Sequence, residues 1–198
     1  MGKLMDGIHL IDGTDYVSIF LVECDDHLVL LDTGMNRKDG PKIIEYINNL
    51  GKPLRLIIIT HHHIDHVANI KKIREATGAK LTFHEAEAPN IKQKADFFLS
   101  DKQQLESCNM EIIHLPGHTA GNISIYLPQQ KAIIIGDTIF DENGLIAPPK
   151  MYCADFEGAK QIITKLLNYD FNVIFLTHGG PMIKDAYPKV QELVNSLK

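Results

Sequence analysis

Four of the ten histidines fall in one short run, His61-His62-His63-Ile64-Asp65-His66. The pattern H-x-H-x-D-H alternates imidazoles and then adds a carboxylate and one more imidazole. In extended backbone alternate side chains share a side, so His61 and His63 can converge on one ion. Asp65 and His66 come where the chain turns into a helix and point elsewhere, and two neighbouring ions are the economical reading of so many donors. His62 is expected to face away from them and is read as structural. Three more apolar segments end on a donor beside glycine: Pro116-Gly117-His118-Thr119, Gly136-Asp137 and His178-Gly179-Gly180. Loops at strand ends commonly carry sites, and glycine there permits close approach. An all-nitrogen-and-oxygen donor set suits zinc and would also accept iron or manganese. Zinc lowers the pKa of a bound water from about 15.7 to about 7, which makes a hydroxide nucleophile accessible at neutral pH. The chain has no G-x-S-x-G elbow and its five serines stand in no triad context, so covalent acyl transfer is disfavoured.

The elements that must position these residues begin with two apolar runs, Val17–Cys24 and His27–Gly34, separated by Asp25-Asp26 as a hairpin turn. Pro41–Leu50 reads as an amphipathic helix stopped by Gly51, and Leu54–Thr60 as a strand buried on both faces. A helix is expected over roughly His66–Thr77, so the histidine run lies where a buried strand becomes a helix. Lys80–His84, Glu111–Leu115, Ile123–Leu127, Ala132–Ile135 and Val173–Thr177 read as strands, Phe156–Leu167 and Tyr187–Leu197 as helices, and Asp96–Ser107 is ambiguous. Strands mixed with covering helices suggest an α/β layered sandwich.

Length and composition bound the function. A chain of 198 residues fits one domain, residues 1–198. Its net charge of −5 carries no basic stripe, which argues against nucleic acid as a partner. No stretch approaches a membrane span and Met1–Gly7 lacks the apolar core of a signal peptide, so a cytoplasmic location is expected. Cys24, Cys108 and Cys153 show no C-x-x-C spacing and are expected to be free thiols. His9, His27, His84 and His114 are left without a role, and Lys150 and Tyr152 are either groove-lining or loop surface.

The segments THHHIDH, LPGHTAGN, IIIGDTIF and FLTHGGP, in this order and with LDTG at Leu31–Gly34 before them, resemble the metallo-β-lactamase superfamily. The resemblance spans Asp32 to His178 and implies a four-layered αβ/βα sandwich with the metals in a groove between two sheet edges. It implies that His61, His63 and His118 hold a first ion, that Asp65, His66 and His178 hold a second, and that Asp137 bridges them. Two divalent ions per chain follow, zinc by preference. Asp65 and Asp32 are the acids of the catalytic apparatus: Asp65 as a ligand, Asp32 as an outer carboxylate that orients a ligating imidazole.

The activity implied is hydrolysis of a small ester, thioester or lactone by metal-activated water. The motifs look like those of glyoxalase II, but only twenty residues follow His178, without the glutathione-binding helical domain. Gly121-Asn122 also stands where Gly-His is common, which counts against thioester specificity. The alternative activity is a sulfur or persulfide dioxygenase with one iron on residues matching His61, His118 and Asp137, and the non-enzymatic alternative is a metal-binding scaffold without turnover.

Overall fold

The computed structural model describes residues 2–11, 14 and 16–198, so Met1 of the Met1–Gly7 segment lies outside the described residues. The chain divides into two compact units, Met1–Leu99 and Ser100–Lys198.

The first unit contains β1 (Gly2–Met5), β2 (Ile8–Ile11), β3 (Ile19–Glu23), β4 (Leu28–Leu31), α1 (Asp39–Leu50), β5 (Leu54–Ile58), α2 (Ile64–Val67), α3 (Ile70–Thr77), β6 (Lys80–His84) and β7 (Phe97–Leu99). Among the described residues its strands form one sheet in sequence order, antiparallel from β1 to β4 and parallel from β4 to β7. Cys24 N donates to His27 O at 2.9 Å and closes the expected Asp25-Asp26 turn. The helices cover one sheet face. Ile19 and Leu21 of β3, Leu28 and Leu30 of β4, and Leu81 and Phe83 of β6 pack with Ile43 and Ile47 of α1 and Ile70 and Ile73 of α3. These are alternate strand positions and helical i, i+3, i+4 positions, as one shared core requires. Phe20, Val22, Val29 and Leu31 are buried too, which explains why these strands are apolar throughout.

The second unit contains β8 (Gln104–Leu105), β9 (Met110–His114), β10 (Ile123–Leu127), β11 (Ala132–Ile135), β12 (Phe140–Asp141), β13 (Leu145–Ile146), α4 (Phe156–Ile162), β14 (Val173–Leu176), β15 (Met182–Lys184) and α5 (Ala186–Ser196). Its larger sheet runs β15-β14-β11-β10-β9-β8, and β12 pairs with β13. Ile113, Ile133, Ile135, Ile174 and Leu176 bury one face against Ile163, Leu166, Val190 and Leu193. No helix among the described residues is long and apolar enough to cross a membrane.

One expectation is corrected. The single helix over His66–Thr77 is two helices, α2 and α3, broken at Ala68-Asn69, where Asn69 leaves helical geometry at φ −111° and ψ 9°. The break has a local cause. Thr33 N and Thr33 Oγ1 both donate to His66 O at 2.8 Å, taking the carbonyl that would continue the helix. Asn69 answers by donating Nδ2 to Thr33 O at 2.8 Å and Asn36 O at 3.0 Å. Of the cysteines, Cys153 is free.

Asn69 is therefore expected to hold the LDTG turn. Asn69→Ala leaves two carbonyls without their donor and should cost about 1–3 kcal/mol in urea unfolding. A loss below about 0.5 kcal/mol, the scale of a neutral surface change, would show that the turn holds itself.

Candidate metal centre

In the first unit the four donors of the histidine run are brought together. The His61 and His63 rings lie 4.7 Å apart, centroid to centroid, and those of His61 and His66 4.0 Å apart. His61 Nε2 is 3.1 Å from His63 Nδ1, and His66 Nε2 is 3.5 Å from Asp65 Oδ2. The strand β5 ends at Ile58, and α2 starts at Ile64 after an extended His63 (φ −62°, ψ 151°), so the run occupies the connection between them.

Asp32 organises this group. It follows β4 with a left-handed φ of 64°, a conformation Asp tolerates better than most residues. Its Oδ1 accepts from Thr60 N, and its Oδ2 accepts from both Thr60 Oγ1 and His66 Nδ1, each at 2.8 Å. Asp32 and His66 are almost wholly buried, and a carboxylate there is held by these donors. An ionised carboxylate only accepts, so the proton of His66 is on Nδ1 and the lone pair on Nε2. The same logic reaches His61. Thr60 gives its one hydroxyl proton to Asp32, so its oxygen, 3.1 Å from His61 Nδ1, accepts from that ring. His61 therefore also presents a lone pair on Nε2. One carboxylate and one threonine set two tautomers, and Thr60 carried no signal in the sequence beyond its place before the run.

In the second unit the register of the parallel pair β11/β14, with Ile135 opposite Leu176, brings the ends of the two strands side by side. Asp137 follows one and Thr177 the other. Thr177 Oγ1 donates to Asp137 Oδ1 at 2.9 Å, while Asp137 Oδ2 is 3.2 Å from His118 Nε2 and 3.3 Å from His178 Nε2. One oxygen is anchored and the other is shared by two imidazoles. Phe140 stacks on His178 with ring centroids 4.8 Å apart and planes 4° apart, fixing the orientation of that ring. Neither Thr177 nor Phe140 was singled out from the sequence.

The glycines beside these donors serve the chain's own backbone. Gly117 has φ 137°, and a Cβ there would lie 2.4 Å from the Ala159 backbone of α4; Gly179 has φ 97°, and a Cβ would meet Asp141 O at 2.4 Å. Asp155 N donates to Gly117 O and Ala154 N to His118 O, both at 2.9 Å, so the start of α4 is tied to the loop carrying His118. Asn122 is also fully buried: Nδ2 donates to Leu115 O at 3.0 Å and Thr138 Oγ1 at 2.8 Å. It clips two loops together.

The donors fit metal ions. Two nitrogens about 2.05 Å from one tetrahedral zinc lie about 3.3 Å apart. The spacings of 3.1 Å within the first unit and 3.2 and 3.3 Å within the second are of that size. Imidazoles whose far nitrogen is held by a carboxylate or hydroxyl are the usual arrangement of ligating histidines.

The remaining candidates have other uses. His9 bonds Tyr46 Oη and Glu23, His27 bonds Asp26, His84 accepts from Ala86 N, and His114 meets Ala120 O. Tyr152 and Lys150 are exposed, with Lys150 Nζ 5.9 Å from the Phe156 ring centre. Cys153 Sγ is 4.0 Å from His118 Nδ1, a pairing that resembles an activated nucleophile. Burial pushes its thiol up, and the Asp137 and Asp155 carboxylates push it further, which disfavours the thiolate.

The sequence model of the family described as Metallo-beta-lactamase superfamily matches residues 12–107 and 109–178. The chain belongs to this superfamily. Among curated relatives, the hydroxyacylglutathione hydrolase of Pelagibacter ubique is 32% identical over 104 residues, covering 52% of the chain and 43% of the relative. That of Brucella ovis is 34% identical over 113 residues, covering 56% and 43%. The chain thus spans less than half the length of these relatives. Solved structures agree on the fold, which is mixed α/β with two large sheets. A metallo-β-lactamase family protein from Thermus thermophilus superposes with a TM-score of 0.80 at 19% identity, over 98% of the chain and 80% of that protein. A subclass B3 metallo-β-lactamase of Bradyrhizobium japonicum gives 0.76 at 20% identity, over 98% and 90%. Another similar protein, solved in a di-iron-bound form, gives 0.73 at 21% identity, over 86% and 91%.

The Asp32 and Thr60 network makes a prediction that needs no turnover. Long-range proton–nitrogen NMR of the metal-free chain should show His61 and His66 as Nδ1–H tautomers, and Asp32→Asn should release His66 from that state. An Nε2–H tautomer at His66 in the wild type would contradict the assignment.

Proposed function

We propose that the chain is a hydrolase in which the two units act as one domain, their donor sets together holding two divalent metal ions, zinc by preference. In this reading His61, His63 and His118 serve one ion, Asp65, His66 and His178 the other, and Asp137 both. The observation that carries it is Asp137: a buried carboxylate with Oδ1 tied to Thr177 and Oδ2 equidistant, within 0.1 Å, from the Nε2 atoms of His118 and His178. An oxygen so placed suits a shared ligand better than a simple ion-pair partner.

Two bound cations would polarise a scissile carbonyl and acidify water from about 15.7 to about 7, which supplies the nucleophile. The chain's own residues do the positioning. Asp32 and Thr60 keep the Nε2 lone pairs of His61 and His66 available, Thr177 fixes Asp137, and Phe140 holds the plane of His178. Cys153 is the side chain placed most like a nucleophile, and burial with the Asp137 and Asp155 carboxylates disfavours its thiolate.

The substrate is a small ester, thioester or lactone. Thioester is the first to test, because the relatives bear the name hydroxyacylglutathione hydrolase.

Hydrolysis should rise with pH through an apparent pKa near 7. Asp137→Ala should be at or below His66→Ala in activity, since it removes a charge shared by two ions; near-native turnover and metal content in Asp137→Ala would refute the bridge. Mass spectrometry of protein quenched during turnover should find no acyl adduct, and a covalent adduct would sink the mechanism.

A further inference from the structure

Outside the seven donors, the histidine run is gripped by one more acid. Glu87 lies in the short 3-10 turn Glu85–Glu87 directly after β6, and its side chain is 0% exposed. Its Oε2 accepts from the backbone N of His62 at 2.9 Å and also from His62 Nδ1. His62 is thereby held at both backbone and ring by a single oxygen, and it sits between the two residues whose nitrogens converge, His61 and His63.

A carboxylate buried to this degree carries a desolvation cost that only charge-assisted hydrogen bonds offset. The run it holds needs such support. α2 has only four residues, its N-cap His63 makes no side-chain capping bond, and β5 has already ended at Ile58. The ladder from β5 to β6 carries on only as far as Ile59 N, which donates to Thr82 O at 3.0 Å. Beyond it, Glu87 fastens the run from the β6 side as Asp32 does from the β4 side. The turn bearing Glu87 is itself pinned, with His84 Nδ1 accepting from Ala86 N at 3.2 Å, and Asn90 N and Ile91 N donating to Glu87 O.

We infer that Glu87 is a positioning residue for metal binding: by clamping His62 it sets the backbone so that His61 and His63 turn their nitrogens toward one ion. The inference rests on the metal-binding reading above and adds to it a residue that contacts neither metal nor substrate. It also gives His62 a use. The residue between the two ligands is the handle by which the run is held.

The test is zinc affinity of the full chain, measured by competition with a chromophoric chelator, alongside the melting temperature of the metal-free protein and the visible spectrum of the cobalt-loaded protein. Outer partners of metal ligands typically contribute 10–100-fold in affinity. Glu87→Gln, which keeps the shape but weakens the acceptor, should bind zinc about 10–100-fold more weakly and shift the cobalt bands. His62→Ala keeps the amide half of the clamp and should fall between it and the wild type. If Glu87→Gln does not fold, His62→Ala carries the test alone. Wild-type affinity and an unchanged cobalt spectrum in the folded variants would overturn the clamp. A wild-type chain that binds no zinc or cobalt would instead overturn the metal-binding reading itself.

Discussion

The buried carboxylate of Asp32 is the constraint on which the first half of the site depends. With three hydrogen bonds converging on it at 2.8 Å, it fixes protons rather than merely holding charge. Each proton it fixes determines where a neighbouring nitrogen carries its lone pair. Removing it would leave the same imidazoles in roughly the same places with undefined tautomers. The second half repeats the device with Thr177 and Asp137, where one carboxylate oxygen is occupied so that the other is presented. Threonine is suited to both positions because a hydroxyl donates once and still accepts.

The strands leading to these acids are apolar and largely buried. β4, β5, β11 and β14 are nearly wholly apolar, and their polar residues come just after the last ladder positions, where pairing stops and side chains are free to turn inward. The loops stay compact because Gly117 and Gly179 admit backbone at distances that no Cβ would tolerate. Core packing and site geometry are thus one problem solved at strand ends, the usual place for function on a rigid scaffold.

Much of this was legible in the sequence because the donors are clustered and their strands are strongly apolar. The hairpin at Asp25-Asp26, the strands beginning near Leu54, Lys80, Glu111, Ile123, Ala132 and Val173, and the convergence of His61 and His63 follow from spacing alone. What escaped was non-local. The strands β1 and β2 flank only an Asp6-Gly7 turn and are too short to show a period. The break at Asn69 is imposed by Thr33, thirty-six residues earlier. The roles of Thr60, Thr177, Phe140 and Glu87 depend on contacts between segments, and threonine or glutamate near a motif carries no local mark.

Metal stoichiometry of the chain purified without chelators and saturated with zinc tests the account most directly. Elemental analysis should give two ions per chain, falling to about one in His178→Ala, which removes a ligand from only one of the two sets. A single ion per wild-type chain, or none, would contradict the dinuclear centre, and a single iron accompanied by oxygen consumption on a persulfide would move the protein to the dioxygenase reading.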